Sequence, residues 1–255
     1  MFRQALVLML ALPAFLAAQA NTSPSPAWPI HALDRPKPMV VHPGGPAVVP
    51  PPADAVVLFD GRNLERWRSD LDSNAAAPWR IVDGAMEVVP GSGGIHTVAG
   101  FGDAQLHVEW MAPTPVTGSG QDRGNSGIFL MGRYEIQVLD SWENETYADG
   151  QAAAVYGQYP PLVNASLPPA SWQSYDIVFR RPRFGADGAV TEPARVTVFH
   201  NGVLVQPNVT LTGPTGHHER PPYVRHADRL PLGLQDHGSP VRYRNLWIRP
   251  LGQRP

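Results

Sequence analysis

Beyond residue 53, apolar and polar positions alternate in runs of about four to eight residues bounded by Gly, Pro, Asn and Asp. That is the period of half-buried strands rather than of helices. Val56-Val57-Leu58-Phe59 runs into Asp60-Gly61-Arg62-Asn63, and Trp79 to Val82, Asp83-Gly84 and Ala85 to Val89 read as a hairpin. Leu106, Val108 and Trp110 share one strand face and leave His107 and Glu109 on the other. Gly127 to Met131 and Tyr134 to Leu139 follow, joined at Gly132-Arg133. Tyr175 to Arg180 and Ala194 to His200 lead to the Asn201-Gly202 turn and Val203 to Val205; Leu232 to Gln235 and Val241 to Arg249 close the series. About a dozen short strands without a long helix predict one all-β domain over residues 54–255, a two-sheet antiparallel sandwich or jelly roll. Trp67, Trp79, Trp110 and Trp247 are its expected core.

The residues ahead of the domain follow other patterns. Arg3, the apolar run Ala5 to Ala18 and Ala18-Gln19-Ala20 read as a signal peptide over residues 1–20. The run is shorter than the ~20 residues that cross a bilayer, so the expectation is export to the periplasm or beyond, with no membrane span. Residues 21–53 contain ten prolines in 33 positions, and so form either a stiff linker or an arm docked by Trp28, Ile30 and Leu33, in neither case catalytic. Composition narrows the chemistry further. The chain has no cysteine, which excludes a disulfide scaffold, thiolate-held metals and a thiol nucleophile. A net charge of −2 gives no electrostatic reason to bind nucleic acid. No Gly-rich dinucleotide fingerprint is present, so no nucleotide cofactor is expected.

Several motifs occur in a fixed order. Leu58-Phe59-Asp60-Gly61-Arg62-Asn63-Leu64 with Trp67, Asn125-Ser126-Gly127-Ile128-Phe129, and Tyr134-Glu135-Ile136-Gln137-Val138-Leu139-Asp140-Ser141 are followed by Trp172-Gln173 and Asn201-Gly202-Val203. Leu234-Gln235-Asp236-His237-Gly238 and Val241-Arg242-Tyr243-Arg244-Asn245 complete the set. This series resembles the 3-keto-disaccharide hydrolase domain family from Asp54 to Leu251. The resemblance implies a concanavalin A-like jelly roll acting on glycosides oxidised at the sugar 3-position, with a carbohydrate substrate and a separate sugar 3-dehydrogenase upstream.

The residues can be asked whether they fit that chemistry. Along Tyr134 to Asp140, Glu135 and Gln137 project to one face and Tyr134, Ile136 and Val138 to the other. Laminarinase-like retaining enzymes carry a second carboxylate four residues after the first, and here that position is Leu139, so the ordinary two-carboxylate mechanism is not expected. A 3-keto sugar does not need it. The ketone acidifies the C2 proton, a base removes it, the C1 substituent leaves, and water adds back. Glu135 is the first candidate for base, or else an acceptor for a sugar hydroxyl or a partner of Arg242 or Arg244. Asp140 is a further catalytic candidate. His237 reads as an acid/base, a metal ligand or a turn histidine. Arg242 and Arg244 share a face and would polarise the ketone or form an ion-pair ladder. Asn125, Ser126, Gln137 and Gln235 suit sugar hydroxyls, and Tyr156 or Trp142 could stack on the ring. Asp140 and Asp236 leave a divalent cation open, whereas His217-His218 reads as an exposed pair. A carbohydrate-binding module of the same fold, which needs no base, is the competing reading.

Overall fold

The computed structural model describes residues 28–45 and 49–252. The expected signal peptide and the start of the proline-rich segment lie outside them. In chain order the strands are β1 (Met39–Val40), β2 (Val56–Phe59), β3 (Trp67–Ser69), β4 (Arg80–Val82), β5 (Ala85–Glu87) and β6 (Ile95–Phe101). Next come β7 (Ala104–Met111), β8 (Ser126–Leu130), β9 (Tyr134–Val138), β10 (Val163–Asn164), β11 (Trp172–Arg180) and β12 (Arg183–Phe184). The last are β13 (Val190–Glu192), β14 (Arg195–His200), β15 (Val203–Thr210), β16 (Leu230–Leu234) and β17 (Arg242–Pro250).

These strands form a two-sheet antiparallel jelly-roll sandwich, as the alternation predicts. The larger sheet runs β15-β14-β11-β7-β17-β5-β4, with β2 also on β17, and the smaller runs β3-β6-β16-β8-β9. Two hairpins close through Asp83-Gly84 (φ 52° and 75°) and Asn201-Gly202 (φ 51° and 79°). Both central residues are left-handed, as a turn matched to strand twist requires. Inward positions of the two sheets meet as one core. Trp67, Ile95, Ile128, Tyr134 and Ile136 come from the smaller sheet, and Leu106, Val108, Trp110, Tyr175, Ile177 and Tyr243 from the larger. Each fully buried side chain of this size contributes roughly 1.5–3 kcal/mol.

Two expectations about packing need correction. Trp247 is buried, but outside this core cluster. It stacks on His107 at 5.4 Å and donates Nε1–H to the Val49 carbonyl, so it lies beneath the chain that leads into the domain. The polar face of β7 is likewise covered, leaving His107 and Glu109 inaccessible. Strand β6, hidden in the sequence by a glycine-rich run, is the centre-left strand of the smaller sheet.

Residues 28–45 lie against the domain. Strand β1 pairs in parallel with β10, and Val41 N–H continues the ladder to the Asn164 carbonyl. Leu33, an expected anchor, is 76% exposed, whereas Arg35 is buried and His31 is held by Asp149. Trp28 and Ile30 are half-buried, so polar contacts of His31 and Arg35 anchor the arm beside these two apolar residues rather than Leu33.

Candidate active site

The outer face of the smaller sheet is assembled from residues that sit directly opposite one another. Register places Arg68, His96, Gly233, Phe129 and Glu135 in one row across β3, β6, β16, β8 and β9. Their neighbours in each strand point into the core, so this row faces away from it. Gly233 leaves a depression, and an open cavity of about 510 Å³ lies over it, lined by Phe129, His96, Asp70, Gln235 and Asp236 among others. His96 Nδ1 is 2.7 Å from Asp70 Oδ1, a histidine–carboxylate pair inside the cavity. A larger concavity of about 810 Å³ surrounds Asp103 and Arg180, Arg181 and Arg183. Its Asp103 is already satisfied by Arg180, Arg183 and the Arg181 amide.

Glu135 sits at the end of that row, 6% exposed, and its carboxylate makes no hydrogen bond or ion pair among the described residues. Burial alone pushes its pKa from 4.5 up to about 8. The backbone around it is fixed. Its N–H donates to Thr215 Oγ1 and its carbonyl accepts from Tyr156 N–H. Beneath it lies Gly127, where a Cβ would overlap Glu135 Oε1 and approach the Phe129 ring to 2.9 Å. Glycine is therefore required for space rather than for φ.

Gln137, two residues on, shares the face. Its Nε2 donates to Asn125 Oδ1 and Gln121 Oε1, each at 3.2 Å, while its own Oε1 is buried without a partner among the described residues. Gln235 Oε1 is a second buried acceptor without a donor. Such acceptors are rare unless a water or a ligand hydroxyl supplies the hydrogen bond. Asn125 orients Gln137 and is itself held by the Gln121 carbonyl. Tyr156 closes the outer edge, its hydroxyl 2.7 Å from that of Tyr147, and the two rings abut His31 of the arm at 5.0 and 3.9 Å.

Other expected site residues lie elsewhere. Arg242 and Arg244 belong to β17 of the other sheet, on its outer face. Arg242 bonds Glu87 at 2.5 Å and reaches Asp83 at 3.5 Å; Arg80 holds the same Glu87. Arg244 bonds Glu109 at 2.6 Å and lies over Trp172. The intervening Tyr243 points into the core, which forces both arginines away from Glu135. They form the ion-pair arrangement, not a ketone-binding pair. Ser126 faces the core as well, donating to the Gln235 carbonyl and bonded by Tyr243 Oη, so it holds two strands together rather than a sugar. Asp140 is engaged by Arg123 at 2.7 Å and by the Trp142 amide, and this clamps the loop that follows β9. Asp236 caps the Gly93 and Gly238 amides, so the expected carboxylate cation site is not formed. Strand β16 stops at Leu234, and His237 is exposed on the turn beyond it.

The residues missed from sequence are His96, Asp70, Phe129, Tyr147, His31 and Asp149. Of these only Phe129 and His96 carried a signal, since each alternates with buried neighbours on its strand.

Residues 54–249 match the family model of the 3-keto-alpha-glucoside-1,2-lyase-like domain. A candidate glycosyl hydrolase from Parabacteroides distasonis is 43% identical, with a TM-score of 0.77 over 85% of this chain and 93% of its own. A second candidate glycosyl hydrolase from the same organism is 20% identical, with a TM-score of 0.57 over 78% of this chain and 94% of its own, and shares the fold. No curated protein matches the chain.

Proposed function

Because the chain belongs to the 3-keto-alpha-glucoside-1,2-lyase-like domain family, a carbohydrate-active family, we propose that it cleaves glycosides oxidised at the sugar 3-position by elimination across C1 and C2. The observation that carries this reading is the isolated Glu135 carboxylate. A buried group without a cationic partner is a stronger base than an ordinary glutamate. In this reading Glu135 takes the C2 proton and the electron pair of that bond forms the C1–C2 double bond. The C1–O bond breaks, and its oxygen leaves with a proton. Water then adds to C1 of the enone. Gln137 and Gln235 receive sugar hydroxyls, and the Gln235 amide donates to the enolate oxygen. His237, exposed on the turn that follows the cavity-lining Gln235 and Asp236, is assigned the proton for the departing oxygen. Without a second carboxylate at Leu139, nothing in this route calls for a glycosyl-enzyme intermediate. The ketone must come from a separate sugar 3-dehydrogenase. Export through residues 1–20 belongs to the same proposal and is tested by sequencing the N-terminus of the processed protein.

The test compares 3-keto-trehalose with trehalose. Cleavage of the keto sugar alone is expected, with kcat/KM rising along an acid limb whose midpoint is near pH 8, because the base must be ionised. Cleavage of plain trehalose would point to a conventional hydrolase, and binding without turnover to a carbohydrate-binding module. Gly127→Ala should lower turnover about 10²-fold while leaving the unfolding midpoint nearly unchanged, since it displaces only the ends of Glu135 and Phe129. Unchanged turnover would place the chemistry away from Glu135.

A further inference from the structure

We propose that His31, His217 and His218 form a binding site for a first-row divalent cation of the zinc type, clipped between the N-terminal arm and the loop that follows β15. One ring nitrogen from each lies within 4.8 Å of the others. Two of the three sit side by side on an exposed turn, with rings stacked at 3.8 Å, and the third arrives from the N-terminal arm, far away in sequence.

His31 is prepared for ligation independently of that proximity. Its side chain is only 8% exposed, and Nε2 is buried without a hydrogen-bond partner among the described residues. Asp149 accepts from Nδ1 at 3.2 Å and from the His31 backbone N–H at 3.2 Å, which sets the ring orientation and leaves the Nε2 lone pair unengaged. A carboxylate behind a histidine is the usual outer partner of a metal-bound imidazole.

The opposing loop is also held in place. Arg220 Nε donates to the Gly157 carbonyl at 2.8 Å, and Gln158 Nε2 to the Gly213 carbonyl at 3.0 Å. Gly157 and Gly216 approach so closely that a Cβ on the former would stand 3.2 Å from the latter's carbonyl oxygen. Tetrahedral coordination at ~2.0–2.1 Å per nitrogen needs nitrogens about 3.3 Å apart. The exposed rings of His217 and His218 can rotate to that spacing while His31 stays fixed. Three imidazoles and no carboxylate or thiolate suit zinc, cobalt or nickel rather than magnesium or calcium. The fourth position would remain open on the solvent side, where an ion can accept a carbonyl or hydroxyl oxygen. Use of the ion to polarise the 3-keto oxygen rests on the elimination reading; the existence of the site does not.

Cobalt(II) titration of the chelator-treated full chain, followed by visible absorbance and elemental analysis, tests the site. One equivalent should bind with a tetrahedral spectrum. Affinity should fall at least 100-fold in His217→Ala and in His31→Asn, and 10- to 100-fold in Asp149→Asn. His42→Ala, a histidine outside the trio, should bind as wild type does. His217 lies on an exposed turn, so its variant keeps the fold, and matching unfolding midpoints without metal verify this. The site is overturned if no equivalent binds at millimolar cobalt, if His217→Ala and His31→Asn bind undiminished, or if His42→Ala weakens binding equally. Metal binding without keto-sugar cleavage would leave the site standing and remove the elimination reading.

Discussion

Glu135→Gln is expected to abolish turnover of a 3-keto-glycoside, by at least about 10³-fold, while making the folded protein more stable at alkaline pH. The first effect follows from the loss of the base, whose removal in acid–base catalysis typically costs 10²–10⁴-fold. The second follows from burial. The folded chain holds the Glu135 proton up to about pH 8, whereas the unfolded chain releases it near 4.5. Folded protein therefore binds more protons across that window, and its stability falls as pH rises. The contribution is fully present below 4.5 and gone above about 8. At roughly 1.4 kcal/mol per pH unit the ceiling is on the order of 5 kcal/mol. Denaturant midpoints of wild type and variant, taken at pH 5 and pH 9, isolate the group. The variant's advantage should be near zero at the lower pH and a few kcal/mol at the higher. Turnover above a tenth of wild type would remove Glu135 from the chemistry. A pH-independent difference would mean that the carboxyl titrates as an ordinary one.

The opposite sign is expected on the other sheet. Glu109 is 1% exposed and bonds Arg244 at 2.6 Å and Asn245 at 2.8 Å, with His107 Nε2 at 3.6 Å. Burial opposes its charge, but these partners outweigh that and hold its pKa down at about 2. Glu109→Ala removes the anion shared by Arg244 and His107, but Arg244 is 38% exposed and His107 keeps Asp176 at 2.8 Å, so the cost falls below that of a fully buried pair, at about 1–3 kcal/mol. Here the unfolded chain binds the extra proton, so the stability Glu109 contributes is present above 4.5 and lost as pH falls toward 2. Urea unfolding should show the full loss at pH 7 and a shrinking one below pH 4. Keto-sugar turnover by the folded fraction should match wild type, because this network lies across the sandwich from Glu135. Loss of activity in folded Glu109→Ala would return Arg244 to the site.

These two carboxylates show where sequence reasoning holds and where it stops. Alternation placed Glu135 and Gln137 on one face of β9, and the structure has them there. The same alternation placed Arg242 and Arg244 on one face of β17, which is also correct, but it was silent about which way that face looks. Ser126 shows the same limit, since a polar residue beside a glycine reads as a ligand contact until its partners, Tyr243 and the Gln235 carbonyl, are known. The sequence left His237 open between a site residue and a turn histidine, and the structure puts it on the turn, three residues past Leu234 at the end of β16. The alternation that would have carried it was ended by the Gly238 turn, tied by Asp236.

What the amino-acid sequence determined by itself is local and periodic: strands, left-handed Asn-Gly and Asp-Gly turns, an all-β sandwich, and a strand with one carboxylate and one amide on its polar face. Those features depend on neighbours a few residues apart, where sterics and burial act directly on the chain. Tertiary structure alone decided which faces are covered and which distant residues meet. Val49 seals Trp247, and Asp149 captures His31 and sets it against His217 and His218. Such meetings depend on how long loops return over a finished sheet. No period in the sequence encodes that path, because it is fixed by hydrogen bonds and packing that exist only once both sheets have closed on their core.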